Sequence, residues 1–148
     1  MHYMEAQYDV AKNCLFSKTR TVSRYITNLY TDGLKEVGLT PVQYSMLTAI
    51  QVLEEANING LSSALKMDRT TINRNLKPLV RDGLVFINES SDRRERLISI
   101  TKEGKELYEK GYENWQKAQS DFKNILGEEK RDEMTKLLDE IIAVIGKK

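Results

Sequence analysis

Met67–Ile100 reads MDRTTINRNLKPLVRDGLVFINESSDRRERLISI, and two periodicities meet in it. Ile72, Leu76, Leu79 and Val80 recur at helical spacing, so one face of the first half is expected to turn inward. Asp68 stands just before that pattern, a carboxylate placed to accept from the otherwise unpaired backbone N–H of Thr71. The opposite face shows Arg69, Thr70, Asn73, Arg74 and Lys77, donors of the kind that pair with phosphates and base edges. Gly83 is expected to stop the helix. Two β-rich runs follow, Leu84–Asn88 and Leu97–Ile100, joined by a polar loop of Ser90, Ser91, Asp92, Arg93, Arg94, Glu95 and Arg96. Helix, glycine, strand, basic loop and strand is the order of a winged helix-turn-helix.

Working outward to the N-terminal side, Asn57-Ile58-Asn59-Gly60 breaks the chain, with Asn59 the expected cap of a short helix over Gly60–Leu65. Before it, Thr40-Pro41-Val42-Gln43 spells a capping box with proline at the first helical position, opening a helix that buries Tyr44, Leu47, Ile50 and Leu53 and ends near Glu54. Tyr8–Val37 reads as one long helix striped by Ala11, Leu15, Val22, Tyr25, Ile26 and Leu29, loosening at Gly33 or Gly38. Pro78, inside the groove-sized helix, leaves the Arg74 carbonyl without its usual partner and reads as structural.

On the C-terminal side Thr101 caps a helix marked by Leu107, Tyr108, Tyr112, Trp115, Ala118, Phe122 and Ile125. Gly127 divides it from a last helix with a broad apolar face of Met134, Leu137, Leu138, Ile141, Ile142 and Ile145. These stripes exceed what a small winged domain covers, and the economical solution is a homodimer in which terminal helices of two chains cover each other. The expected fold is mainly α with a small β-hairpin wing. It is a single domain, 1–148, with the winged helix-turn-helix over 39–101 and a helical dimerisation region from 5–37 and 102–146.

Composition narrows the function classes. With 30% charged and 40% hydrophobic residues the chain is ordinary globular protein, and it holds neither an apolar run of membrane-spanning length nor a signal pattern, so a cytoplasmic location is expected. The single cysteine, Cys14, excludes an internal disulfide framework, and the single histidine, His2, leaves no metal cluster to expect. No nucleophile–base pair or phosphate-binding glycine loop is visible, so neither an enzyme nor a cofactor is expected. The net charge of +1 is uninformative until it is divided: nine basic against five acidic residues put Arg69–Lys105 at +4 and the remainder at −3. A basic patch on a slightly acidic body is the footprint of a surface for double-stranded DNA, although a solvated charged face gives the same count.

Three motifs in order, GLTPVQYSML, MDRTTINRNLKPLVRDGLV and SSDRRERLISITKEGKEL, resemble those of MarR-family transcriptional regulators, and the resemblance runs from about Asn13 to Ile145. It implies a homodimer with one winged helix-turn-helix at each corner, binding a pseudo-palindromic operator, usually as a repressor. It further implies release by a small phenolic or lipophilic effector or by cysteine oxidation. In that frame Thr70, Thr71, Asn73, Arg74 and Asn75 enter the major groove. Arg74 suits a guanine and Asn73 an adenine, while Lys77 and Arg69 hold phosphates. Asp92 and Arg94 match the family's Asp-x-Arg wing, in which the aspartate fixes an arginine that probes the minor groove, leaving Arg93 and Arg96 to the backbone or solvent.

The resemblance also places an effector crevice near Tyr25, Leu29, Tyr44, Met46 and Leu47, residues that serve equally as core. Cys14, beside Leu15, reads either as a small buried hydrophobe or as the reactive thiol of peroxide-sensing members, whose partner-chain tyrosines bond it. Tyr30 fits one tyrosine position, the second falls at Pro41, and Lys12 and Lys18 are the cations nearest in sequence. The rival to DNA binding is a winged helix used only for protein contact.

Overall fold

The computed structural model describes residues 2–92 and 96–147, and its helices start where the sequence supplies caps. In α3 (Pro41–Val52) the Thr40 hydroxyl accepts from the Gln43 amide at 3.2 Å, and the Gln43 side chain accepts from the Thr40 amide at 3.0 Å. The expected capping box is present, with Pro41 opening the helix. α4 (Ile58–Leu65) corrects an expectation: Asn57, not Asn59, is the cap, its Oδ1 accepting from the Gly60 amide at 2.7 Å. Starting two residues earlier brings Ile58 onto the helix, where it packs against the core.

Lys66, in the left-handed region at φ 54°, ends α4 and makes the sharp turn of the helix-turn-helix. Two bonds hold that turn: the Met67 amide donates to the Ser62 carbonyl at 3.2 Å, and the Ser62 hydroxyl donates to the Met67 carbonyl. α5 (Arg69–Arg81) then begins under the Asp68 cap, burying Ile72, Leu76 and Leu79. Val80, expected inside, is 40% exposed, because adjacent Leu79 already occupies the inward direction and the next residue turns about 100° away. The helix closes as expected at Gly83, φ 71°, with the Leu84 amide donating to the Leu79 carbonyl at 2.9 Å.

The wing is an antiparallel hairpin of β1 (Val85–Ile87) and β2 (Ile98–Ile100), shorter than the runs that announced it, with Val85 opposite Ile100 and Ile87 opposite Ile98. Val85 and Ile98 point into the core, and the Ile98 amide reaches the Ala56 carbonyl at 2.8 Å, tying the hairpin to the α3–α4 loop. α6 (Lys102–Leu126) starts where the Thr101 hydroxyl accepts from the Gly104 amide at 3.0 Å, and Gly127 at φ 89° separates it from α7 (Glu128–Ile145).

The N-terminal helix is not continuous as expected. It forms α1 (His2–Asn13) and α2 (Leu15–Leu34), broken at Cys14, whose ψ of 109° is extended. No glycine or proline marks that break. α2 passes through Gly33, where a Cβ would stand 3.3 Å from that of Ala118 on α6, so the glycine allows close approach of the two helices. A 3-10 turn over Lys35–Val37 then ends at left-handed Gly38, the looser of the two glycines the sequence offered. The core, including Leu34, Met46, Leu47, Leu61, Ile72 and Leu79, lies among the end of α2, α3, α4, α5 and the hairpin. By contrast α1 and α7 contain no buried residue.

Candidate nucleic-acid interface

Asp68 does more for α5 than cap one amide. Its two oxygens accept from the Thr71 amide and the Thr71 hydroxyl, each at 2.8 Å, and these bonds, the amide first, hold its carboxyl below the usual aspartate range. Beyond this cap α5 contains no acid through Arg81, while Arg69 stands at its first position. Placing a cation in the first turn opposes the helix dipole, which makes this end a poor stability choice and a good anion-facing one.

The outer face of α5 and the base of the wing converge. Arg69, Asn73 and Lys77 line one concavity of about 550 Å³ with Arg96, over a floor that includes Ile58, Ile87 and Ile98. Thr70 and Arg74 are exposed beside it. Thr71 and Asn75 are half-buried on the flank of the helix, and both are already engaged, Thr71 by Asp68 and Asn75 by the Thr71 carbonyl at 2.9 Å. Asn73 likewise donates to the Arg69 carbonyl at 2.9 Å, which leaves its Oδ1 and one amide hydrogen for another partner.

In the wing, Asp92 is exposed and its amide donates to the Ser90 hydroxyl at 3.3 Å. Arg96 Nε donates to the Ser90 carbonyl at 3.4 Å. Arg93 and Arg94 lie outside the described residues. A residue the sequence reading passed over, Asn88, closes the hairpin: its amide donates to the Leu97 carbonyl at 3.0 Å and its Oδ1 accepts from the Leu97 amide at 2.7 Å. The available signal was an asparagine at the end of a strand-like run, which also suits an ordinary turn.

A second concavity, about 300 Å³, opens between α2, α3 and α6, lined by Ile26, Thr27, Tyr30, Leu34, Pro41, Tyr44, Ser45 and Trp115. Of the residues expected there only Tyr44 lines it. Met46 and Leu47 are fully buried in the core, Tyr25 is 70% exposed, and Leu29 borders a separate groove against α6. The Tyr44 ring stacks on Tyr108 with centroids 4.7 Å apart. Burial first, then the neighbouring Tyr108, raises the Tyr44 phenol far above its ordinary range. Cys14 is neither a core hydrophobe nor fully exposed: it is half-buried at the α1–α2 break. Ser17 bonding, its backbone amide first, lowers the thiol pKa.

Among the described residues no group of three or more His, Cys, Asp and Glu side chains is placed to hold a metal, and no helix is long and apolar enough to cross a membrane. A capped helix with a basic, acid-free outer face, set beside a hairpin, defines a winged helix-turn-helix protein. Comparison with known proteins agrees. The MarR family model matches residues 37–95. A transcriptional regulator of Staphylococcus epidermidis, SarZ, is 38% identical over 86 residues, which cover 57% of this chain and 58% of the relative. The chain thus matches less than two thirds of the length of that relative.

Among solved structures, the M. tuberculosis transcriptional regulator MosR in complex with DNA is 28% identical with a TM-score of 0.74, covering 89% of this chain and 98% of that one. A mutant E. coli MarR with operator DNA shares the fold at a TM-score of 0.80 and 20% identity over 90% of this chain and 97% of its own. The chain is thus similar to MarR-family transcriptional regulators, and the solved structures share its winged-helix fold.

Proposed function

We propose that the protein binds a pseudo-palindromic operator as a homodimer and represses transcription in the cytoplasm, with a small effector in the α2–α3–α6 crevice controlling release. The observation that carries this reading is the meeting of Arg69, Asn73, Lys77 and Arg96 in one concavity on an acid-free helix face. Thr70, Thr71, Asn73, Arg74 and Asn75 on the first turns of α5 lie toward the major groove. Arg74 reads a guanine, Asn73 an adenine, and Arg69 and Lys77 neutralise phosphates. In the wing, Asp92 fixes Arg94 for the neighbouring minor groove, while Arg93 and Arg96 stay with the backbone or solvent. Dimerisation is supported by apolar residues left open on the terminal helices, including Leu15, Phe16, Ile125 and Leu137, each more than half exposed. A two-fold dimer sets its half-sites about one helical turn, or a multiple, apart.

Fluorescence anisotropy with the duplex upstream of the protein's own gene tests this at two salt concentrations. Steep loss of affinity with salt is expected, because each phosphate contact releases counterions. Arg74→Ala and Arg94→Ala are each expected to weaken binding, Arg74→Ala by about 1–3 kcal/mol at the operator and far less on random DNA. A folded, reduced, ligand-free dimer that binds no duplex would move the protein-contact reading to first place.

A second reading concerns Cys14. The lowered thiol pKa and its half-exposed place at the start of α2 favour a thiolate that peroxide oxidises, adding release by oxidation to release by ligand. Peroxide treatment is then expected to release DNA from wild type and leave the Cys14→Ser variant bound.

A further inference from the structure

The hairpin closes irregularly at its outer end, and the irregularity bears on the basic concavity. In an antiparallel ladder the two residues of every second pair exchange both backbone bonds. Asn88 and Leu97 form such a pair one step beyond Ile87 and Ile98, with the Asn88 amide donating to the Leu97 carbonyl at 3.0 Å. The return bond runs instead from the Leu97 amide to Asn88 Oδ1 at 2.7 Å, so a side-chain oxygen stands where the Asn88 carbonyl would accept. Leu97 therefore stays paired while the peptide between Asn88 and Glu89 turns out of the ladder. That turn brings up the Ser90 carbonyl, which accepts from Arg96 Nε at 3.4 Å.

Arg96 is thus held twice, its backbone by the paired Leu97 beside it and its guanidinium by Ser90. A guanidinium bonded through Nε still presents its two terminal amino groups, and among the described residues nothing bonds them. Arg96 lines the concavity of about 550 Å³ together with Arg69 and Lys77, and no carboxylate joins that lining. Three unopposed cations repel one another, and an anion between α5 and the wing relieves the repulsion. A phosphate fits the fork of a guanidinium through two parallel bonds.

We propose that Asn88 is a positioning residue for DNA binding: by closing the hairpin with its side chain, it aims Arg96 at a backbone phosphate lying between α5 and the wing. This rests on reading the concavity as the DNA interface, and it assigns Arg96 to the DNA backbone rather than to solvent.

Anisotropy of the full-length protein with a random-sequence duplex over a salt series tests the assignment, since random DNA leaves mainly phosphate contacts to measure. Arg96→Ala, at an exposed position, is expected to make the slope of log affinity against log salt shallower by about 1 for each protomer bound. Asn88→Ala truncates a half-buried side chain outside both strands, and it is expected to flatten the slope by at least about half as much. In the double variant, Asn88→Ala is expected to add less than about twofold to the loss caused by Arg96→Ala. A merely structural role would lower the melting temperature, keep the wild-type slope and add its full loss in the double variant. A wild-type slope in either single variant, or fully additive losses, overturns the inference alone. A wild type that binds no duplex overturns the reading of the interface and this inference with it, so the two failures are distinct.

Discussion

Asp68 shows how an exposed residue carries structural weight. Its lowered pKa means that the cap contributes stability above the ordinary aspartate range and loses it as pH falls through the still lower folded value. Below about pH 4 the wild type is therefore expected to lose thermal stability more steeply than Asp68→Asn, which keeps a capping oxygen but does not titrate. Melting temperatures from pH 7 down to pH 2 check the sign. Tyr44→Phe is the opposite experiment: deleting a hydroxyl with no partner is expected to leave stability unchanged or raise it by up to about 1 kcal/mol in denaturant unfolding. What was legible at this scale was local. Thr40 and Asp68 bond to residues three ahead of them, so their roles follow from spacing alone. Met46 and Leu47 could not be told from pocket residues, because only the docking of other helices decides whether an apolar side chain faces a cavity or the core.

Elements are positioned by small residues where two of them touch. A Cβ on Gly104 would land on the Leu84 carbonyl oxygen and stand 2.7 Å from Ile100 Cγ1, so α6 starts flush against the hairpin. Gly111→Ala meets the edge of the Tyr44 ring at 2.9 Å, a side chain that can shift. Alanine gains about 1 kcal/mol in helix propensity at either site. Gly111→Ala is therefore expected to be near neutral, and Gly104→Ala to destabilise by about 1–3 kcal/mol through a forced backbone shift. Chemical denaturation of the pair orders them. Asn57→Ala, removing the α4 cap, is expected to cost about 1 kcal/mol, whereas Asn59→Ala is expected to cost less. The two asparagines were indistinguishable as caps in sequence, and the choice fell to Asn57 because Ile58 has a core to reach. The Cys14 break was invisible for a different reason: the apolar period runs straight across it, and no helix-breaking residue interrupts the pattern.

At the scale of the molecule, the apolar faces of the terminal helices and the basic face of α5 lie on different elements, so a substitution can reach the proposed dimer surface without touching the basic face. Charges at Leu138 and Ile142 on α7, 44% and 53% exposed here, are expected to give a folded monomer by light scattering. Operator affinity is then expected to fall, because one winged domain holds one half-site. The order of helices, glycine and hairpin was legible because each periodicity is local, and so was the surplus of apolar surface. The crevice was not, since its lining gathers Ile26, Pro41 and Trp115 from helices far apart in sequence.

The join between α6 and the wing has a mechanical meaning. The Thr101 hydroxyl donates to the Gly83 carbonyl at 2.6 Å, and the Thr101 amide donates to the Leu84 carbonyl at 3.0 Å, fastening the first residues of α6 to the end of α5. Thr101 lies about 21 Å along the axis from Trp115 at 1.5 Å per residue, so a tilt of only about 3° pivoting at Trp115 arrives at Gly83 as a displacement of about 1 Å. The long helix is a lever with its fulcrum at the crevice and its tip bolted to the end of α5, so under the proposed function a small shift at the fulcrum is expected to move the tip out of hydrogen-bonding register.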